Sequence, residues 1–201
     1  MVEEAWAGAR RVLGGAGRGA SVEEAVAEHE EQAEHEECAE RQGGRERTAD
    51  DAMTTRIGQV IMLHHGGDRE EARGRFLALW SELGEGGHPF HRCTLAHYMA
   101  DTQDDPADEL AWDLRALSAA EELAGLPAAA VHGGPPAARA FLPSLHLNLA
   151  ADYDRLGRTE AARSHVRSAR GAVAALADDR YGNGVRAAIG RLERKLAGEV
   201  T

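Results

Sequence analysis

Cys93, His97 and Asp101 follow one another at intervals of four residues in the stretch FHRCTLAHYMAD. On a helix that spacing puts all three side chains on one face. Two kinds of chemistry suit such a set. Zinc accepts sulfur, nitrogen and oxygen donors at tetrahedral corners. A His held by an Asp makes a general base, because the carboxylate fixes its tautomer and raises its basicity. His is abundant, ten in 201 residues, and two more of them, His64 and His65, are adjacent. Neither Cys93–His97 nor His97–Asp101 carries a metal signature such as HExxH. Ser144 and Thr94 are the only hydroxyls to consider as nucleophiles, and no nucleophile elbow, phosphate loop or cofactor fingerprint occurs. The glycines of GGAGRG at 14–19 follow no strand, so they do not make a phosphate cradle. Glu31, His35 and Cys38 share one stripe of a Glu-rich segment and could bind a metal, although a solvated acidic face explains them more simply. His88 and His91 flank a turn before Cys93, where polar residues at a helix start need no further role.

The elements that must position these groups are helices. Apolar content is 43% but aromatics only 4%, and Ala dominates, which favours helix and close helix packing. Val, Ile, Thr and aromatics are too sparse for a large sheet. The spacing predicts a helix over 2–13, a glycine break, and a helix over 21–42 opened by a Ser21–Glu24 capping box. That acidic helix carries nine Glu and no basic residue before Arg41. Gly43-Gly44 should end it, and Thr48 should cap a helix over 49–65. Gly66-Gly67 ends that one, and a second capping box, Asp68 to Glu71, opens a helix to about Leu83. Further helices are expected over 90–102, over 106–123 with Asp105 as cap and Pro106 at the first position, over 144–156 and over 159–176. The stretch 124–143 holds four of the six prolines and reads as an irregular insertion with at most a short helix, carrying His132 and Phe141 to a groove edge. An amphipathic helix over 183–196 closes the chain. Two domains follow: residues 1–47 as an N-terminal helical extension and 48–201 as the main helical domain.

Charge and composition exclude several functions. Net charge is −11, with Lys occurring once, at Lys195. No basic stripe exists to meet phosphates, so nucleic acid is not an expected partner. No apolar run approaches the roughly 20 residues of a membrane span. The acidic start MVEEAWAGAR is unlike a signal peptide, and two distant cysteines fit a reducing compartment. A cytoplasmic protein is expected, with the Ala/Gly/Arg bias of a GC-rich bacterial coding sequence.

Helix-turn-helix units in tandem call for a repeat search. The segment LNLAADYDRLGRTEAARSHVRSA, from Leu147 to Ala169, resembles a tetratricopeptide repeat: Leu149, Ala150, Tyr153, Gly157, Ala162 and Ala169 fall where that motif puts Leu, a small residue, Tyr, Gly, Ala and Ala. The segment 53–86 matches at Gly67, Ala72 and Phe76. A middle unit, from about Gly87, keeps Leu95 and Ala96, replaces the turn Gly by Gln103, and would use Trp112 and Leu114 as core. The resemblance implies an all-α fold, a short right-handed superhelix of about three hairpins with extra N- and C-terminal helices. Its first helices would line a concave groove.

In that register the groove is lined by His64, His65, Cys93, Thr94, His97, Asp101, Asn148, Asp154 and Arg155, with Leu147 and Ala151. The Lys/Arg clamp by which chaperone-binding repeats hold acidic tails is missing, and only Asn148 resembles part of it. The expected function is an adaptor that holds a basic or neutral peptide or a partner protein, more readily than an enzyme and without a cofactor. The alternative is a small-molecule or metal-binding accessory protein, or a helical enzyme of bacterial specialised metabolism. Its site would use His97 and Asp101, with His64, His97 and Asp101 as candidate metal ligands. The Glu-rich helix could cover one end of the solenoid or pack on a second copy, giving a dimer.

Overall fold

A computed structural model describes residues 22–126 and 134–198, and these are helical with no strand among them. The elements are α1 (Val22–His65), α2 (Arg69–Leu83), α3 (Pro89–Ala100), α4 (Pro106–Gly125), α5 (Gly134–Arg155), α6 (Thr159–Ala172), a 3-10 turn (Val173–Ala175) and α7 (Arg180–Ala197). The chain divides into two compact units, residues 1–49 and 50–201. The expected helix over 2–13, the GGAGRG break and the Ser21 cap lie outside the described residues. Among the described residues no helix is long and apolar enough to cross a membrane.

Several expected boundaries are corrected. Gly43-Gly44 does not interrupt α1. Each helical Gly costs only about 1 kcal/mol relative to Ala, which the flanking helix formers absorb. Thr48 is no cap: its hydroxyl donates to the Gly44 carbonyl at 2.9 Å, one turn back within the helix. Asp68 precedes α2 without a side-chain capping bond; its amide donates back to Leu63, and the Glu71 carboxylate pairs with Arg75 at 2.7 Å instead of closing a box. The proline-rich stretch is helical from Gly134 onward. Pro135 and Pro136 fall in the first turn of α5, where no amide donor is needed, and Pro143 is accommodated inside the helix.

Within residues 50–201 consecutive helices pack as hairpins. The α1–α2 and α5–α6 turns are closed by the same device. Gly67 donates to His64 and Asp68 to Leu63; Gly157 donates to Asp154 and Arg158 to Tyr153. Both glycines hold positive φ, 95° and 70°, as a Schellman ending demands. The α3–α4 turn has Gln103 at the corresponding place and no such glycine. It is held from outside by α2: Arg73 Nε donates to the Thr102 carbonyl at 2.9 Å and Arg73 Nη2 to Asp104 at 2.8 Å, and Arg69 pairs with Asp104 at 2.5 Å.

Small residues set how closely the helices approach. Ala72 and Phe76 pack with Ile57, Val60, Leu79, Leu95 and Met99. Ala96, Ala116, Ala119 and Ala120 pack with Cys93 and Leu145. Ala150, Ala162 and Ala169 pack with Val166, Val185, Ile189 and Leu196. Phe76, fully buried, contributes roughly 1.5–3 kcal/mol by leaving water. Leu114, expected in the core, is 42% exposed; Trp112 takes the inner position, edge-on to Trp80 at 5.1 Å.

The turn geometry makes a paired prediction. Gly157→Ala should lower stability by about 1 kcal/mol, since a Cβ is strained at positive φ. Gly74→Ala, on the exposed face of α2 with nothing within 4 Å of an added Cβ, should raise it by up to about 1 kcal/mol. Urea unfolding of the two variants checks both signs.

Candidate functional site

The residues on the first helices of successive hairpins come together along one face. His97 of α3 and Asn148 of α5, fifty-one positions apart, meet at 3.4 Å between Nδ1 and Nδ2. His64 and His65, at the end of α1, each lie edge-on to Tyr98, with ring centroids 6.5 and 6.0 Å away. Asp101, at the C-cap of α3, is within electrostatic reach of His97, His64 and His65. Nearby, Leu147 of α5 and Tyr181, Val185 and Ala188 of α7 line an open apolar recess.

Other expected members of the groove are placed differently. Cys93 is buried in the α3–α4–α5 core, and burial together with the charge of Asp113 pushes its thiol up to about 12. It is a packing residue. Thr94 donates to the Phe90 carbonyl one turn back at 2.9 Å. Ser144, buried, donates to Phe141. Asp154 is paired with Lys195 of α7 at 2.5 Å. His88 caps α3 by accepting from the Phe90 amide, and His91 is buried with its Nε2 at 3.0 Å from the Thr54 hydroxyl. The side chains of Glu31, His35 and Cys38, and all of His132, lie outside the described residues.

The carboxylate that faces His97 is Asp113, a residue the sequence pattern had not singled out, rather than Asp101 one turn along α3. Asp113 Oδ1 is 3.8 Å from His97 Nδ1. Asp113 is 0% exposed, and neither of its carboxylate oxygens has a hydrogen-bond partner in the protein. Asp152 of α5 is 1% exposed; its Oδ1 accepts from Arg155 at 2.6 Å while its Oδ2 has no partner. Arg155 also reaches Glu109 of α4 at 2.5 Å. Glu109, Asp113 and Asp152 bring three carboxylate oxygens within 4.8 Å of one another, and they are the one such group of His, Cys, Asp or Glu donors among the described residues. His64, His97 and Asp101, the metal candidates from spacing, do not converge in this way.

The cluster follows from helical periodicity. Glu109 and Asp113 are i and i+4 on α4, and Asp113 continues the buried stripe Leu110, Ala116, Ala120, Leu123. Asp152 continues the stripe Leu145, Leu149 on α5. A charged residue inside an apolar stripe was the available signal for both. Crowding shows in the proton equilibria. Burial first, then the Asp113 charge, push the Asp152 carboxyl up to about 7 against the opposing pull of Arg155. Burial disfavours the His97 imidazolium, yet the Asp113 carboxylate and the Asp101 charge outweigh it and raise its pKa above the ordinary range. The centre can therefore hold a proton between carboxylates, or take a cation in its place.

No protein-family model, curated protein or solved structure matches the chain.

The raised Asp152 carboxyl has a measurable consequence. A folded pKa of about 7 lies above that of the unfolded chain, so the stabilisation is full below about pH 4 and is lost as pH rises to about 7. Asp152→Asn fixes the neutral form. With a chelator present, the stability of the natural chain relative to Asp152→Asn should fall between pH 5 and pH 8, by on the order of 2–3 kcal/mol. Thermal melts at both pH values check this, and a difference that does not change with pH contradicts it.

Proposed function

We propose that the chain is a tetratricopeptide-like binding module. The first helices of its three hairpins, the second half of α1 with α3 and α5, would form one wall of a groove that holds a cationic segment of a partner protein. The observation that carries this is the meeting of His97 and Asn148 at 3.4 Å from successive hairpins, with His64, His65, Tyr98 and Asp101 alongside. Stacked repeats bring together side chains distant in sequence in just this manner.

Two further features support the repeat register. The matched small residues Ala72, Ala96, Ala150, Ala162 and Ala169 are all fully buried, and the matched turn glycines Gly67 and Gly157 share one hydrogen-bonding pattern. The ligand's sign rests on charge complementarity. Asp101 is exposed on the groove face, Asp113 lies behind His97 without a donor, and Arg155 is already committed to Glu109 and Asp152. An Arg or Lys side chain meets that potential and an acidic tail does not. The apolar recess at Leu147 and Tyr181 suits a non-polar residue next to the basic one. Among the described residues no arrangement of nucleophile, base and oxyanion donors favours catalysis.

Fluorescence anisotropy with short labelled peptides tests the proposal, using one set rich in Arg and Lys with an apolar neighbour and one acidic set. The basic set should bind, more weakly at high salt. The combined variant His65→Ala with Asp101→Asn changes two exposed residues and should weaken binding about tenfold, roughly 1.4 kcal/mol. Equal binding of the two sets, or no loss in the variant, would remove the proposal's basis.

A further inference from the structure

We propose that Glu109, Asp113 and Asp152 form a divalent-cation site between α4 and α5, with Asp113 as its anchoring ligand. The geometry allows a single ion to touch all three. Oxygens bound to one hard cation at about 2.1–2.5 Å lie no more than about 4–5 Å apart, and the three carboxylates fall within 4.8 Å of one another.

Three carboxylates close together are not in themselves a site. What points to a ligand is the state of the two innermost. Asp113 is sealed from solvent, neither of its oxygens has a donor, and one of them lies within 4.8 Å of an oxygen of both Glu109 and Asp152. Asp152 Oδ2 is in the same condition. An ionised carboxylate buried without a partner costs several kcal/mol; Asp113 has none, and Asp152 beside it on the facing helix has Arg155 on one oxygen only. His97 Nδ1, at 3.8 Å from Asp113, is beyond hydrogen-bonding distance.

Charge suits a divalent ion. When all three carboxylates are ionised, the single guanidinium of Arg155 leaves two negative charges, which one divalent ion cancels. Arg155 occupies one oxygen of Asp152 and one of Glu109, and leaves Asp152 Oδ2 and both oxygens of Asp113 open. The donors are all carboxylate oxygens, which select hard cations such as Mn²⁺, Mg²⁺ or Ca²⁺ over softer ones. Glu109 and Arg155, whose side chains are 21% and 45% exposed, form the solvent side of the cluster.

The cation site goes beyond the binding-module proposal, and either can fail without the other. Mn²⁺ is the probe. Chelator-stripped protein titrated with MnCl₂, followed by isothermal calorimetry and by the loss of free-ion electron paramagnetic resonance signal, should bind one ion per chain and melt at a higher temperature with it. Asp113→Asn and, separately, Glu109→Gln should each weaken binding at least tenfold. The second alters a partly exposed residue and serves if the first does not fold. Asp154→Asn, on the same helix as Asp152 but paired with Lys195, should bind as the natural chain does. The proposal is overturned if the natural chain shows no saturable binding of Mn²⁺, Mg²⁺ or Ca²⁺, which would leave a shared proton as the neutralising species. It is equally overturned if both Asp113→Asn and Glu109→Gln bind Mn²⁺ as the natural chain does.

Discussion

Asp113 is a carboxylate with no access to water and no donor from the protein, and the middle of the molecule is arranged around it. Its position is a result of close helix packing. Ala96 on α3 and Ala116, Ala119 and Ala120 on α4 let these helices and α5 approach more nearly than Leu or Ile would allow. At that separation the side chains next to the small residues share one volume. Asp113 from α4, Asp152 from α5 and His97 from α3 are the groups that find themselves there. An apolar trio would have made an ordinary core. A charged trio in the same place must be neutralised, and each of the local features answers that need in part: the Arg155 bridge, the raised Asp152 carboxyl and the raised His97.

This centre lies directly behind the face on which His97 and Asn148 meet, the proposed groove wall. His97 belongs to both: one ring nitrogen faces Asp113 at 3.8 Å and Asn148 at 3.4 Å, while its side chain is 29% exposed. A ligand that approaches His97 from the groove therefore senses the charge state of the carboxylates behind it. Neutralising those carboxylates with a proton or a metal ion lowers the negative potential that a cationic ligand would meet.

Much of the architecture was legible because it rests on local chemistry. The turn glycines Gly67 and Gly157, the Asp105–Pro106 start of α4 and the buried alanines of the third hairpin are specified by single residues with one conformational job each. The sequence was misleading where breakers proved too weak. Gly43-Gly44 and Pro135-Pro136 sit in places where a helix tolerates them. The groove register placed His97 next to Asn148 in space, but helical spacing alone paired His97 with Asp101. The partner that actually faces it comes from a different helix, and only tertiary packing could reveal that. Asp113 and Asp152 interrupt apolar stripes, but that each is buried beside the other depends on how α4 and α5 pack and not on either helix's own pattern. Cys93 erred the other way, a potential ligand by type that packing turned into core.

The dependence of the centre on mutual crowding can be measured by a double-mutant cycle of Asp113→Asn and Asp152→Asn, read as unfolding free energy above pH 7 with a chelator present. If the two carboxylates share one uncompensated volume, replacing either one relieves much of the same repulsion. The gain in the double variant should then fall short of the sum of the single gains, with a coupling on the order of 1 kcal/mol or more. Effects that add to within about 0.5 kcal/mol would mean that the two groups do not sense each other, and the buried centre described here would not exist.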